Sequence, residues 1–279
     1  MFVRKNYLAA ALLIIGLAGG LCAQDAKPTP APVSTPVPEK TPKPTPPPKV
    51  DPNKPLTAEQ IVESAIVITA FPGGRAVLNQ IRKTTIEKGK ISLTAADGHV
   101  DPVKYERWVL RGDSLYKEKI RVDQEFPNAK FSLVRSDDRI FGIYNDQVFT
   151  PRDDASKTFE NQTFHGIEAL LRYKEDECKV ELAGREKIMG VDLYFIDMTD
   201  KSGRKTRFYI SSKTFRVMSL EYQEDGIKYK RRFYNYNYAQ GTLVPYRSVL
   251  WANDKIVEEI EISTITFGQK VDEEMFKAG

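Results

Sequence analysis

Hydrophobic positions in this chain recur at a helical period up to residue 81, and at a period of two after it. Ile61, Val62, Ala65, Ile66 and Ile68 make a broad apolar helix face. Just ahead, Thr57 and Gln60 are spaced for a reciprocal capping box, and Leu56 and Ile61 for a hydrophobic staple. Phe71-Pro72-Gly73-Gly74 stops that helix, and 75–81 admits a second short helical turn. The alternating pattern then predicts twelve strands, near 83–94, 104–112, 117–126, 130–135, 139–144, 178–187, 191–199, 204–211, 215–223, 227–239, 243–252 and 255–267. Asp97-Gly98, Asp137-Asp138, Asn145-Asp146, Ser202-Gly203, Asp225-Gly226 and Asn253-Asp254 supply tight reversals between them. Such short gaps leave no room for crossover helices, so neighbouring strands are predicted to be antiparallel. In the last strand the apolar phase slips from Ile260 and Ile262 to Ile265 and Phe267, which predicts a bulge or bend. One helix, over 163–174, interrupts the strands: Phe164, Ile167, Leu170 and Leu171 fall at helical spacing, suited to packing on the sheet or to a movable lid.

Three segments differ in composition. Residues 1–23 read as a cleaved signal peptide, with Arg4 and Lys5 ahead of the uncharged run Leu8–Leu21 and a small residue, Ala23, at the cut. A lipid anchor on Cys22 is the lesser expectation, because Leu21 stands where a small residue is wanted. Residues 24–55 hold 12 of the 17 prolines and no aromatic residue, the composition of a disordered polyproline linker that acts as a spacer or simply as a solvated tail. Residues 56–279 form the domain. The net charge of +4 resides entirely in 1–55, since 56–279 carry 35 basic and 35 acidic side chains. A nucleic-acid face built on net charge is therefore not expected. After cleavage only Cys178 remains, read as a small buried hydrophobe; the fold must then rest on its core rather than on disulfides.

Catalytic and metal-binding signatures are scarce. There is no phosphate loop, H-E-x-x-H, G-x-S-x-G or C-x-x-C, so neither an enzyme nor a metal or cofactor is expected. His99 reads as a solvated turn residue, and His165 as a surface or capping residue at the start of the interrupting helix. Asp137-Asp138 and Asp153-Asp154 lack calcium-loop spacing and read as loops. Asn161-Gln162-Thr163 matches a glycosylation acceptor by pattern alone. The basic-aromatic run Lys228–Tyr234 suits a long strand better than a nucleic-acid surface. A hydrolase acting through unpaired carboxylates is a third, weaker reading, since such groups meet across strands and leave no sequence signature. What these patterns define is an α+β chain whose long antiparallel sheet must curl, with helices across the mouth and an apolar hollow beneath them.

Three stretches carry a family resemblance: Trp108-Val109-Leu110-Arg111, the turn-then-strand run Ser136–Tyr144, and the closing segment Val271–Phe276. With the order of elements they resemble the LolA/LolB lipoprotein-carrier superfamily and the related RseB-type sensor domain. Gly166–Lys174 and Gln240–Arg247 are similar to text in a branch of secreted LolA-like proteins. The resemblance implies an incomplete, strongly curved antiparallel barrel of about 11–12 strands. Helices around 57–71 and 163–174 would gate its cavity. It implies a monomeric periplasmic protein that binds lipid or lipoprotein acyl chains, with roles in sorting or transport. A sensor or scaffold that binds another envelope protein is the alternative. The implied ligand-binding residues are Trp108, Val109, Ile66, Ile140, Ile167 and Leu170, with the family's lid-holding arginine falling on Arg111. Gly112 stands where a proline is usual and Leu110 where a basic residue is usual. Strand parity sets Tyr105, Arg107, Val109 and Arg111 on one face, and Glu106, Trp108 and Leu110 on the other. An arginine on that inner face would cap a headgroup or pair with a helix carboxylate.

Overall fold

The computed structural model describes residues 55–136 and 139–278. The expected signal peptide over 1–23, Cys22, nearly all of the proline-rich segment and Asp137-Asp138 lie outside the described residues.

The chain opens with α1 (Ala58–Thr69) and α2 (Gly74–Ile81), which meet at 51°. The capping box forms as its spacing predicts: the Gln60 N–H donates to Thr57 Oγ1 at 3.3 Å, and the Thr57 N–H donates to Gln60 Oε1 at 2.9 Å. Six strands follow: β1 (Thr84–Thr94), β2 (Val100–Leu110), β3 (Lys119–Glu125), β4 (Lys130–Ser136), β5 (Arg139–Tyr144) and β6 (Gln147–Phe149). Two helices, α3 (Asp153–Phe164) and α4 (Ile167–Leu171), separate them from the other seven. These are β7 (Lys179–Ile188), β8 (Val191–Thr199), β9 (Lys205–Ser211), β10 (Val217–Glu224), β11 (Ile227–Ala239), β12 (Thr242–Ala252) and β13 (Lys255–Phe267).

All thirteen belong to one open antiparallel sheet, in the order β6-β5-β4-β3-β2-β1-β13-β12-β11-β10-β9-β8-β7. The two strand runs are meanders joined through β1 and β13, so the edges are the strands on either side of α3 and α4. The edge strand β7 alternates Lys179, Glu181, Arg185 and Lys187 along its length, charges that discourage further pairing. Asn145-Asp146, Asp225-Gly226 and Asn253-Asp254 all take positive φ at both positions, as two-residue hairpins require. The predicted slip in β13 is a bulge: Lys88 pairs with Thr264 and Gly89 with Ile262, leaving Ser263 over.

Three expectations need correcting. The strands number thirteen rather than twelve, because β6 is three residues long and too short to show alternation. The single helix over 163–174 is two helices with Gly166 between them. Asp153-Asp154 is not a loop but the first turn of α3, where acidic side chains meet the positive end of the helix dipole.

The helices pack on one face of the sheet. Ile61, Ile66, Leu78, Leu170 and Leu171 are buried against Ile196, Phe208, Ile210 and Leu220 of β8–β10. Phe159 of α3 packs on Ile91, Val103, Tyr105, Val109 and Ile120 of β1–β3. Each such fully buried aliphatic or aromatic side chain contributes about 1.5–3 kcal/mol. On the opposite face the turn Glu273–Phe276 seats Phe276 on Val134 and Phe141, and Phe195 packs edge-to-face on Tyr209 at 4.9 Å. Among the described residues, no single helix is long and apolar enough to cross a membrane.

Candidate functional site: an ionic junction between helices and sheet

Where β2 ends, the backbone N–H of Arg111 donates to the Lys83 carbonyl at 3.0 Å, fixing the strand end against the entry to β1. Its side chain, only 9% exposed, turns toward the helices. Nη1 donates to Glu168 Oε1 of α4 at 3.0 Å. Nη2 reaches Glu175 Oε2 at 3.0 Å and Asn79 Oδ1 of α2 at 2.9 Å. The other oxygen of Glu168 accepts from Arg82 Nη1 at 2.6 Å. Glu175 also accepts from Arg172 Nε at 2.7 Å. The fully buried Arg172 pairs with buried Glu118 and donates through Nη2 to the Gly112 carbonyl at 2.7 Å. Arg75 of α2 binds the Leu171 carbonyl at 2.9 Å and Glu63 of α1 at 3.0 Å, and Tyr173 donates to the same Glu63 oxygen.

Four arginines (75, 82, 111, 172) thus face four glutamates (63, 118, 168, 175), tying α1, α2 and α4 to the end of β2. Burial alone would raise the Glu168 carboxyl, but Arg82, Arg111 and Arg172 outweigh it and hold it below the usual range. Glu175 is likewise lowered, burial being overcome by the Arg172 hydrogen bond and the Arg111 charge. Glu118 goes the other way: burial and the Glu168 charge push it up to about 7. Asp176, which accepts from the Leu115 N–H at 2.8 Å, is raised by burial. Arg75 Nε and Arg82 Nε are buried without a hydrogen-bond partner, but every charge in the cluster faces an opposite one, and removing one member strands a buried charge.

The implied ligand-binding residues do not converge on one site. Ile66 and Leu170 are fully buried in the apolar cluster beneath α1 and α4, and Ile167 is partly buried against it. Val109 and Ile140 belong to a second cluster, under α3. Trp108 sits on the far face, with Val134 and Phe276, as the alternation of β2 requires. Arg111 is engaged with helix carboxylates. Glu168, Arg172 and Glu175 were not singled out from sequence as a site; their spacing of four and three residues, which aligns charges on one helical face, was the signal available.

Both histidines are described. His99 is exposed in its turn. His165 caps the C-terminus of α3 but is 3% exposed rather than on the surface, because its ring stacks on Tyr222 at 3.9 Å and its Nδ1 lies 2.7 Å from Thr206 Oγ1. Cys178 is a free, partly buried thiol, raised to about 11 mainly by burial and so unreactive.

Against solved structures, the fold is LolA-like. The LolA superfamily protein NE2245 from Nitrosomonas europaea superposes with a TM-score of 0.57 at 16% identity, over 80% of this chain and 98% of that one. A DUF1329 family protein from Desulfovibrio piger gives 0.55 at 13% identity, over 79% and 97%. A putative outer membrane lipoprotein-sorting protein domain from Vibrio parahaemolyticus gives 0.53 at 15%, over 78% and 97%. No protein-family model matches the sequence, and no curated protein does.

Proposed function

We propose that this is a non-enzymatic, periplasmic protein of the cell envelope that takes up a lipid or lipoprotein acyl chain between its sheet and its helices. In this reading the sheet curls into an incomplete barrel, and α1, α2 and α4 form a cover that lifts to admit the chain. One observation carries it: the cover is joined to the sheet by a discrete ionic junction at Arg111, set beside a wholly apolar cluster. Ion pairs exchange for water when such a joint opens, whereas the apolar surface exposed needs a new partner. An acyl chain supplies it, at about 0.8 kcal/mol per methylene buried, so on the order of ten methylenes contribute about 8 kcal/mol toward holding the cover open. The fold shared with a putative lipoprotein-sorting domain supports the same reading.

Native mass spectrometry of the protein purified from its own host tests this. Co-purified lipid or an acylated protein is expected. A captured protein without an acyl group would instead make the domain a scaffold, and an empty protein from membrane-rich extracts would refute acyl binding.

A further inference from the structure

The arginine next to Arg111 on the same face of β2 has a different environment. Arg107 lies between buried Tyr105 and Val109, so its side chain projects on the helix-bearing side of the sheet. The other sheet arginines on that side are matched. Arg111 holds Glu168 and Glu175, Arg135 donates to the Leu115 and Tyr116 carbonyls, and Arg231 pairs with Glu258 at 2.7 Å. Among the described residues, the Arg107 side chain makes no hydrogen bond, ion pair or ring contact. Its direct cross-strand neighbour is Glu87, which would be the natural partner. The Glu87 carboxylate instead accepts from the Tyr105 hydroxyl at 2.6 Å. Arg107 is partly buried all the same, so it gives up hydration with only the longer-range charge of the Glu118 carboxyl to offset it.

The floor beside it is apolar, buried at Val122 and incompletely covered beyond it. Val122 and Leu133 continue the Arg107 row across β3 and β4. Gly142 follows on β5, where a Cβ would come within 2.1 Å of the Phe149 ring, so Phe149 lies flat over that glycine at the sheet edge. Phe149 is 37% exposed, and Leu133 and Ile140 are only partly buried. An apolar strip thus runs from Arg107 to the sheet edge, across four strand spacings of about 4.8 Å, or roughly 19 Å.

We infer that Arg107 is the headgroup subsite for a singly charged, single-chain amphiphile of the fatty-acid type. Its carboxylate is held by the guanidinium fork, and its chain lies over Val122, Leu133 and Phe149 toward β6. A guanidinium presents two parallel N–H donors that match a carboxylate, and it is held more tightly where water is scarce. One cation without a hydrogen-bonded counter-ion suits a monoanion. This inference rests on the acyl-binding reading, names the ligand's charge, and sets the chain on the β3–β6 half of the sheet rather than beneath α1, α2 and α4.

The test is calorimetric titration of the whole protein with monomeric palmitate and with hexadecanol, which has the same chain and no charge. Palmitate is expected to bind at least about tenfold more tightly than hexadecanol. Arg107→Met should abolish that difference while leaving hexadecanol affinity within about twofold. Arg107→Lys, which keeps the charge but loses the fork, should retain part of it. Equal binding of the two probes to the unaltered protein, or an undiminished palmitate preference in Arg107→Met, overturns the headgroup assignment and leaves acyl binding standing. Failure of both probes to bind overturns both.

Discussion

His165 is buried as a neutral ring. Burial, and then the positive charge of Arg204, lower its pKa to about 4, against the opposing influence of Glu224 and Asp200. Its other near neighbours, Tyr222 and Thr206, supply a stacked ring and a hydroxyl rather than charge. A histidine whose folded pKa lies below its ordinary value of about 6.5 stabilises the fold fully above that value, and the contribution is lost as pH falls toward 4. The span corresponds to about 3 kcal/mol. Glu118 has the reverse sign, since its raised carboxyl favours the fold as pH falls from 7 toward its ordinary range. The two therefore offset one another in the unaltered protein. His165→Phe removes only the first effect, so its melting temperature should fall less between pH 7 and pH 5 than that of the unaltered protein. Parallel pH profiles in thermal unfolding would show that folded His165 keeps its ordinary pKa. Little of this was legible in the sequence: Thr206 is 41 residues away and Tyr222 lies on another strand, so nothing local marked His165 as buried.

At the level of elements, legibility followed periodicity. α1 was readable because its apolar face and its capping box agree, and both are local. Thr57→Ala leaves the N-terminal N–H groups of that helix without their side-chain acceptor and should lower stability by about 1 kcal/mol, measured by chemical denaturation. An unchanged midpoint would mean that water caps the helix equally well. The β13 bulge was readable for the same reason, since one extra residue shifts every later side chain to the other face. α3 was not. Its buried residues are Phe159, Thr163 and Phe164, and its first turns are polar, so no apolar stripe announces it. What secures it is a contact at long range, the Gln162 amide donating to buried Glu258 on β13 at 2.9 Å.

For the whole molecule, the antiparallel order could be read from the short turns, and an Arg111 pair with a helix carboxylate was one of two readings drawn from the resemblance; the pairing of β1 with β13 and the partners Glu168 and Glu175 could not be read. Arg111 meets Glu168 and Glu175 across 57 and 64 residues, a distance no spacing rule covers. The sheet's hydrogen bonds run strand to strand, and the proposed function requires the helix layer to separate from it. Arg111→Leu tests that separability. The leucine leaves Glu168 to Arg82 and Glu175 to Arg172, each short of one partner in a partly dry setting, a loss of about 3–5 kcal/mol by analogy with broken buried pairs. If the joint holds a cover, the loss falls on local opening. Amide exchange should then speed up in α1, α2 and α4 while β9–β11 keep their protection, and bound acyl chain should be released faster. If exchange accelerates equally in all of these elements, the joint is part of one cooperative core and no cover moves independently. Protection unchanged everywhere would mean that Arg111 contributes nothing to holding the helices down. The first pattern alone is compatible with an acyl chain entering beneath α4 without unfolding the sheet.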